Sequence, residues 1–386
     1  MSALFQSIGD GWRQIVSRRM YFVTMILVPL LSTFFFVDLM KEGLPLKVPT
    51  AIVDLDHSPL SRSVTRSLNA GELINITHDA ESYSAALDLV KKGEVFGFFI
   101  IPENFEKKAY SGEETTMTYY SNLTFYVPGT LSFKGFKSTA VAAMQGISET
   151  TLTMTGLPED MIGDLMVPVN VNIQQPGNPW TNYSIYLSNS FAPGVLALMV
   201  MLVTAFSICE EIKRATSTRW LDRAGGSVVI ALFGKLIPQS VIFTIIGIGM
   251  QAVLYKFCHF PLNNHPLHMI LAVWLLVVAC QWLAVTFICV VPNLRLALSL
   301  CSLTGILAFS IAAFSFPVEA MYGGIGIFSY ILPIRYYFLI YIDQALNGIP
   351  IFYSRWYYIA LMLFVPVGLL GVNRLKKRLL NPVYVP

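Results

Sequence analysis

Long runs of apolar residues constrain this chain more than any other feature of its sequence. Six such runs can be counted, and each has about 20 residues, enough for an α-helix to cross a hydrocarbon core of about 30 Å. Hydrophobic residues make up 55% of the chain and charged residues 13%, whereas soluble domains are about one quarter charged. These features predict an integral membrane protein. The net charge of +3 is too small to indicate binding to nucleic acid.

The apolar runs divide the chain into an α-helical membrane bundle and one large insertion. A cytoplasmic interfacial helix is expected at 1–19, an extracytoplasmic domain at 39–185, and the remaining membrane helices within 186–386. Residues 317–350 are broken by Pro and Gly and predict re-entrant or interfacial helices at the outer face. The six predicted spans are 20–38, 187–208, 232–255, 267–291, 293–316 and 356–373. No small-residue cleavage site follows the first, which favours a retained helix.

The distribution of Lys and Arg orients these helices. With the N-terminus inside, the basic residues of the N-terminal stretch, of the 209–226 loop and of the C-terminus all lie on one side. Short loops that are rich in Lys and Arg stay in the cytoplasm. Both termini are therefore predicted to be cytoplasmic, with the large insertion outside.

The insertion alternates strand and helix patterns, which predicts a small α/β domain. Predicted strands include "VPTAIVD" and "TTMTYYSN", and Ser58 is a candidate cap for the first helix. "DLDHS", residues 54–58, groups acidic, His and Ser side chains. A metal or nucleophile site and a polar turn after a strand are both open, although the spacing matches no ligand or triad pattern.

Cysteine and histidine give little sign of a metal site. The five Cys have no C-x-x-C spacing and suggest buried hydrophobic side chains rather than a disulfide framework. Cys258, His259, His265 and His268 share one outer loop, but their spacing fits no zinc pattern. No metal is therefore expected.

Charges concentrate in "CEEIKRATSTRWLDRAGG", the predicted cytoplasmic loop 209–226 between two apolar runs. Glutamate and basic residues three or four apart can pair along a helix or face a partner protein. An ordinary positive-inside loop is the simpler alternative. The candidate residues are Glu210, Glu211, Lys213, Arg214, Arg219, Trp220, Asp222 and Arg223.

Several segments, taken in order, resemble the permease subunits of ABC-2 type transporters. They are "VDLDHSPLSR", "GEVFGFFIIPENFEKKAYSGE", "FGKLIPQSVIF", "VPNLRLALSL" and the stretch around "LPIRYY". The resemblance implies a transmembrane subunit without enzymatic activity, powered by separate ATP-binding cassette subunits that hold ATP and Mg²⁺. The chain itself has no GxxxxGK[ST] phosphate loop, and no cofactor is expected in it.

The resemblance also implies a role for particular residues and partners. The loop 209–226 would dock on the ATPase, although this chain has Ala215-Thr216 where the family has Gly-Thr. The N-terminal helix, with Trp12 and Arg13, would lie at the membrane surface and touch the ATPase. The family further implies a homodimer or a heterodimer with a paralogue. It also implies a bacterial inner-membrane location, a periplasmic adaptor and an outer-membrane duct.

The cargo and the gate are predicted more loosely. Because few charged residues fall within the spans, an amphipathic or lipid-like cargo such as a drug, lipid or peptide is favoured, as in multidrug efflux. Glu319, Arg335 and Asp343 form a candidate gate, and a structural salt bridge of Arg335 with either carboxylate is the alternative. The competing functions are a membrane-anchored binding or scaffold protein and an ion exporter.

Overall fold

A computed structural model gives the fold. It describes residues 2–41, 43, 45–111, 113, 115–154, 182–312, 314 and 318–381. The chain divides into two compact units, and each is considered by itself. The first unit is formed by Met1–Gly43 and Gln174–Pro386, and the second by Leu44–Ile173.

The first unit is a bundle of long apolar helices. Within the described residues, six helices are long and apolar enough to cross a membrane. They are α2 (Arg19–Leu39), α7 (Tyr183–Lys213), α9 (Val228–Phe257), α10 (Leu267–Val290), α11 (Leu294–Ile311) and α14 (Ile351–Leu370). The number agrees with the prediction, and so do the approximate positions. α7 and α9 extend beyond their apolar runs at both ends, because the backbone ladder continues through polar residues, whereas α11 is shorter than its run.

Burial separates the central helices of the bundle from the peripheral ones. Most of the apolar window is buried in α10 and α7, at 72% and 67%, but only 22% in each of α2, α11 and α14. A membrane helix that exposes most of an apolar surface faces lipid or another protein. The centre of the unit is therefore built on α7 and α10.

Short helices complete the first unit at its two ends. α1 (Ser2–Ser17) is separated from α2 by the extended backbone of Arg18. α8 (Ser217–Arg223) follows α7, and α15 (Val372–Leu380) follows α14. α8 and α15 lie at the same end of the bundle, because the Ser217 hydroxyl donates to the Leu379 carbonyl oxygen at 2.7 Å.

A bent pair of helices occupies the other end, where re-entrant or interfacial helices were predicted. α12 (Gly323–Ser329) and α13 (Pro333–Leu346) meet at an angle of 78°. The bend follows from the sequence, because a residue before proline avoids the helical region, and Leu332 has an extended backbone. Pro333 then starts α13 at a position where its missing N–H costs nothing.

The second unit contains a four-stranded sheet with the order β2-β1-β3-β4. β1 runs parallel to β2 and β3, and β4 is antiparallel to β3. The strands are β1 (Val48–Asp54), β2 (Ile74–Asp79), β3 (Gly97–Ile101) and β4 (Thr118–Ser121). The helices are α3 (Pro59–Ala70), α4 (Tyr83–Lys92), α5 (Phe105–Ser111) and α6 (Tyr126–Met154). Apolar side chains alternate along β1 so that Ala51 and Val53 pack on one face and Ile52 on the other.

The "DLDHS" segment forms a polar turn that supports two helices of this unit. The Asp54 carboxylate accepts hydrogen bonds from the backbone N–H of Asp56 and His57. The Asp56 carboxylate accepts from the backbone N–H of Phe105 and Glu106, at 2.9 and 3.1 Å, and so caps α5. The predicted cap Ser58 accepts from the N–H of Ser61 at 3.0 Å. These carboxylates are occupied by backbone donors, which favours the turn over a metal or nucleophile site.

Candidate functional site

A cleft of about 490 Å³ lies at the end of the first unit where α1 and α8 are found. We call it the charged cleft. It is lined by α1, by Arg18, by the last turn of α7, by α8 and by the start of α9. Predicted residues that line it are Arg13, Glu210, Glu211, Arg214, Arg219, Trp220 and Arg223. Lys213 and Asp222 are exposed nearby, and Trp12 lies on the exposed side of α1.

The chain reverses at the end of α7 through a Schellman motif, which brings α8 back toward the bundle. The N–H of Thr216 donates to the Glu211 carbonyl oxygen at 2.9 Å, and the N–H of Ala215 to that of Ile212 at 3.1 Å. Such a motif requires a left-handed residue, usually glycine. Ala215 fills that position with φ of 54°. Glu210 and Glu211 therefore belong to the last turn of a spanning helix rather than to a loop.

Glu210 connects the start of the first spanning helix to α7. Its side chain is 5% exposed and accepts hydrogen bonds from the guanidinium of Arg18. Arg214, one helical turn further along, forms an ion pair with it at 2.8 Å. A buried carboxylate needs such partners, because an unpaired buried charge is strongly destabilising. The pairing with Arg214 was predicted from the spacing, whereas the one with Arg18 was not.

Glu211 forms a second ion pair, with Lys235 of α9. Lys235 is 4% exposed, and its Nζ lies 2.7 Å from Glu211 Oε1. The same ammonium donates to the Ser207 carbonyl oxygen at 2.6 Å and lies 4.7 Å from the centre of the Trp220 ring. The Thr216 hydroxyl also donates to the Glu211 carboxylate. Lys235 thus connects α7, α8 and α9 at one buried point.

Asp10 of α1 forms a third, more exposed set of ion pairs. Its carboxylate lies 3.4 Å from Arg223 of α8 and 3.8 Å from Arg13 of α1. Exposed ion pairs contribute little stability. The contact of Asp10 with Arg223 therefore affects the orientation of α8 more than the stability of the unit. The side chains of Lys213, Arg214, Arg219, Asp222 and Arg223 remain exposed.

Sequence reasoning missed three residues that organise the charged cleft, namely Arg18, Lys235 and Asp10. Lys235 had a usable signal, because it is a single charge well inside an apolar run, and such charges are costly unless paired. Arg18 had none, since its partner Glu210 lies 192 residues away along the chain. For Asp10 the spacing indicates only the local pair with Arg13, because Arg223 lies 213 residues away.

The candidate gate residues do not form the predicted salt bridge between Arg335 and Asp343. Arg335 Nη1 donates to Ser329 Oγ at 3.1 Å, and the Asp343 carboxylate accepts from Ser354 Oγ at 2.9 Å. The two residues are two turns apart on α13, and a helical side chain leans toward the N-terminus of its helix. Arg335 therefore points away from Asp343. The side chain of Glu319 lies outside the described residues.

Metal binding finds no support in the part of the chain that the structure describes. There, no group of three or more His, Cys, Asp or Glu side chains is arranged to hold a metal ion. In the Cys-His loop, His265 Nδ1 instead accepts a hydrogen bond from the N–H of Leu267 at 3.2 Å.

Comparison with known protein families gives a match that covers most of the chain. A family model described as ABC-2 family transporter protein matches residues 19–372. The match starts at the first residue of α2 and ends at the first residue of α15, so it includes both units. A search of curated proteins found no match.

Proposed function

Because the chain belongs to the ABC-2 family of transporter proteins, we propose that it is the permease subunit of an ATP-driven exporter. A separate ATP-binding cassette subunit would bind ATP and Mg²⁺ and dock at the charged cleft. The observation that carries this proposal is that ion pairs at the cleft join α7 to Arg18 at the start of α2 and to α9, while a more exposed pair joins α1 to α8. The alternatives are a membrane-anchored scaffold protein and an ion exporter.

The ion pairs define two roles for the charged residues. Glu210 and Lys235 are buried, Glu211 is partly buried, and their ion pairs hold the helices together. Arg219, Asp222 and Lys213 are exposed and remain available for a partner protein. A movement of the ATPase against α8 would then be passed to α7 and α9 as a rigid-body displacement, which is a common form of switching.

The proposed cargo follows from the scarcity of charge in the spanning helices. Ion-coupled transporters bury carboxylates within their spans, whereas Glu210 and Glu211 lie at the very end of α7. An amphipathic or lipid-like molecule, such as a drug, lipid or peptide, suits the apolar helices better. The outward apolar faces of α2 and α11 support pairing with a second permease copy or a paralogue.

The proposed location is a bacterial inner membrane, with both termini and the charged cleft in the cytoplasm. The Lys and Arg residues of α8 and α15, together with Arg13, Arg18 and Arg19 in and after α1, support this orientation. The second unit would then be an extracytoplasmic α/β domain, inserted between the first two spans. It would contact a periplasmic adaptor, which connects to an outer-membrane duct.

Copurification of an ATPase with charge-reversal variants tests the proposal. Arg219→Glu and Lys213→Glu alter exposed side chains that form no ion pair among the described residues. We expect them to lose the ATPase and to retain the wild-type unfolding temperature. Arg62→Glu and Arg66→Glu, which are exposed on the second unit, are matched controls and should retain it. If the gently extracted wild-type chain brings down no ATPase, the scaffold alternative is favoured instead.

A further inference from the structure

Arg335 is a buried arginine with no acidic partner among the side chains that the structure describes. Its side chain is only 7% exposed. Nη1 donates to Ser329 Oγ at 3.1 Å, while Nε is buried and has no hydrogen-bond partner. Among the residues that the structure describes, no carboxylate forms an ion pair with this guanidinium. A buried charge without a counter-charge is strongly unfavourable, so a buried guanidinium of this kind indicates a ligand or a function.

The start of α13 adds a second positive feature at the same place. Arg335 is in the first turn of this helix, and Leu332 provides no side-chain cap. A helix N-terminus carries partial positive charge and favours anions. The contacts of the guanidinium, Ser329 and Tyr330, both precede the helix, so the side chain lies toward that N-terminus. The guanidinium and the helix N-terminus are both positive, so they repel each other unless an anion lies between them.

The described groups that could neutralise this charge, Asp343 and Tyr330, are engaged elsewhere or act weakly. Asp343 accepts a hydrogen bond from Ser354 and lies two turns further along α13. The ring of Tyr330 lies 4.8 Å from the guanidinium carbon, and a cation–π contact compensates only part of the cost of burying a charge. Tyr330 is 54% exposed, so its ring can move aside without disturbing a packed core.

We propose that Arg335 and the uncapped start of α13 bind an anionic phosphate or carboxylate group of the molecule that the permease exports. Identifying the ligand as cargo rests on the proposed function, whereas binding itself does not. A guanidinium suits these groups because its planar fork offers two parallel N–H donors to them. The ring of Tyr330 covers the site and is displaced as the anion enters.

The test measures anion binding by the purified full-length chain through its thermal stabilisation. Inorganic pyrophosphate is the soluble probe, and nanodiscs of phosphatidylglycerol against phosphatidylcholine are the lipid probe. We expect Arg335→Gln to weaken binding at least about tenfold, because a charged hydrogen-bond donor is lost. Arg335→Lys should retain part of the affinity. Arg355→Gln is the matched control, since Arg355 lies at the same end of the bundle but is exposed, and it should bind like the wild type.

A second measurement separates ligand binding from a structural role. Without anion, Arg335→Gln should unfold at the same temperature as the wild type or higher, because it removes an unpaired buried charge. Tyr330→Ala should bind the anion faster. Glu319→Gln should behave like the wild type. Tighter anion binding by Glu319→Gln, together with lower stability, would mean that Glu319 neutralises Arg335 and would overturn the proposal.

The two probes distinguish the source of the anion. Arg335-dependent stabilisation by pyrophosphate indicates a soluble phosphate group, and stabilisation only by phosphatidylglycerol indicates a lipid headgroup. Stabilisation by neither probe, or equal losses in Arg335→Gln and Arg355→Gln, overturns the proposal. Copurification of the ATPase is measured separately, so the anion-binding result can still be interpreted if the proposed function fails.

Discussion

Ala215 has a backbone conformation that usually belongs to glycine. Its φ of 54° closes the Schellman motif at the end of α7. The left-handed region costs a residue with a Cβ about 1–2 kcal/mol. The structure thus gives a physical reason for the glycine that the family resemblance implies at this point: the chain must turn left-handed there before α8. Alanine at position 215 raises the energy of the turn, but the turn still forms.

We predict that Ala215→Gly stabilises the chain. The relief of strain exceeds the extra entropy that glycine adds to the unfolded chain, leaving a net gain of about 0.5–1 kcal/mol. Unfolding in mixed SDS micelles would measure it. Ala205→Gly, in the helical interior of α7, is the matched control and should lose about 1 kcal/mol. A loss of stability in Ala215→Gly would mean that the left-handed conformation is wrong.

The pair of Glu211 and Lys235 contributes to stability differently from Ala215, because the effect of each member depends on the other. Because Lys235 is almost fully buried, removing its counter-charge leaves an ammonium with only a carbonyl oxygen and a ring as partners. Replacing both members with neutral residues removes that problem, since an apolar pair of similar volume is often as stable as a buried ion pair. The stability of the pair is therefore strongly non-additive.

We predict that Glu211→Gln lowers the free energy of unfolding by about 3 kcal/mol. The double variant Glu211→Gln with Lys235→Met should recover most of that loss. Lys213→Met, which removes an exposed lysine from the same helix, should change stability by less than about 1 kcal/mol. SDS unfolding of these three variants, of the single variant Lys235→Met and of the wild type measures the coupling. Additive losses in the double variant would contradict a direct pair.

At the scale of helices, α1 approaches α9 through small residues rather than through its apolar side chains. Ser7 and Gly11 are buried, whereas Phe5 and Val16 are exposed at 69% and 81%. A Cβ on Gly11 would overlap the Gly234 carbonyl oxygen, and one on Gly234 would overlap Ser7. Small residues allow this close approach. The apolar side of α1 is left free, as expected for a helix at a membrane surface.

We predict that Gly11→Ala displaces α1 from α9 whereas Gly9→Ala does not. Gly9 has no atom within 4 Å of an added Cβ, so alanine there should gain up to about 1 kcal/mol of helix propensity. Proteolysis of α1 reports the difference, with faster cleavage expected only in Gly11→Ala. Equal cleavage of the two variants would show that the close crossing is absent.

The positions of helices and strands could be predicted from local patterns, whereas their partners could not. Apolar run length located the spans, and short apolar or alternating runs located the strands of the second unit, because these signals are local. The continuation of α7 to Lys213 was missed, since the apolar run ends before the helix does. The contact of Arg18 with Glu210 depends on how α1, α2 and α7 pack, and no spacing in the sequence encodes it.

At the scale of the whole molecule, the two ends of the first unit differ in charge. α1, α8 and α15 supply basic residues at one end, and Ser217 and Leu379 join two of these helices there. At the other end, Asn263 in the loop between α9 and α10 donates to the Leu346 carbonyl oxygen of α13 at 2.7 Å. The positive-inside rule predicts that the first end is cytoplasmic. That assignment determines on which side an ATPase would dock.

Cys258 allows this orientation to be tested, because it lies just after α9 and is the one partly exposed cysteine among the five, all of which are described. A membrane-impermeant maleimide should label it in intact spheroplasts, and Cys258→Ser should abolish labelling. Burial raises the pKa of the Cys258 thiol, so less thiolate is present at neutral pH. Its labelling rate should therefore keep rising with pH beyond the usual thiol pKa of about 8.5.

The opposite end supplies the matching control for this labelling. In the Cys258→Ser background, Asp222→Cys places a thiol on the exposed side of α8. We expect it to react only after the spheroplasts are permeabilised, because the positive-inside rule puts α8 in the cytoplasm. The reverse pattern, with Asp222→Cys labelled in intact spheroplasts and Cys258 protected, would invert the orientation. The charged cleft would then face away from cytoplasmic ATP, and docking of an ATPase there would be excluded.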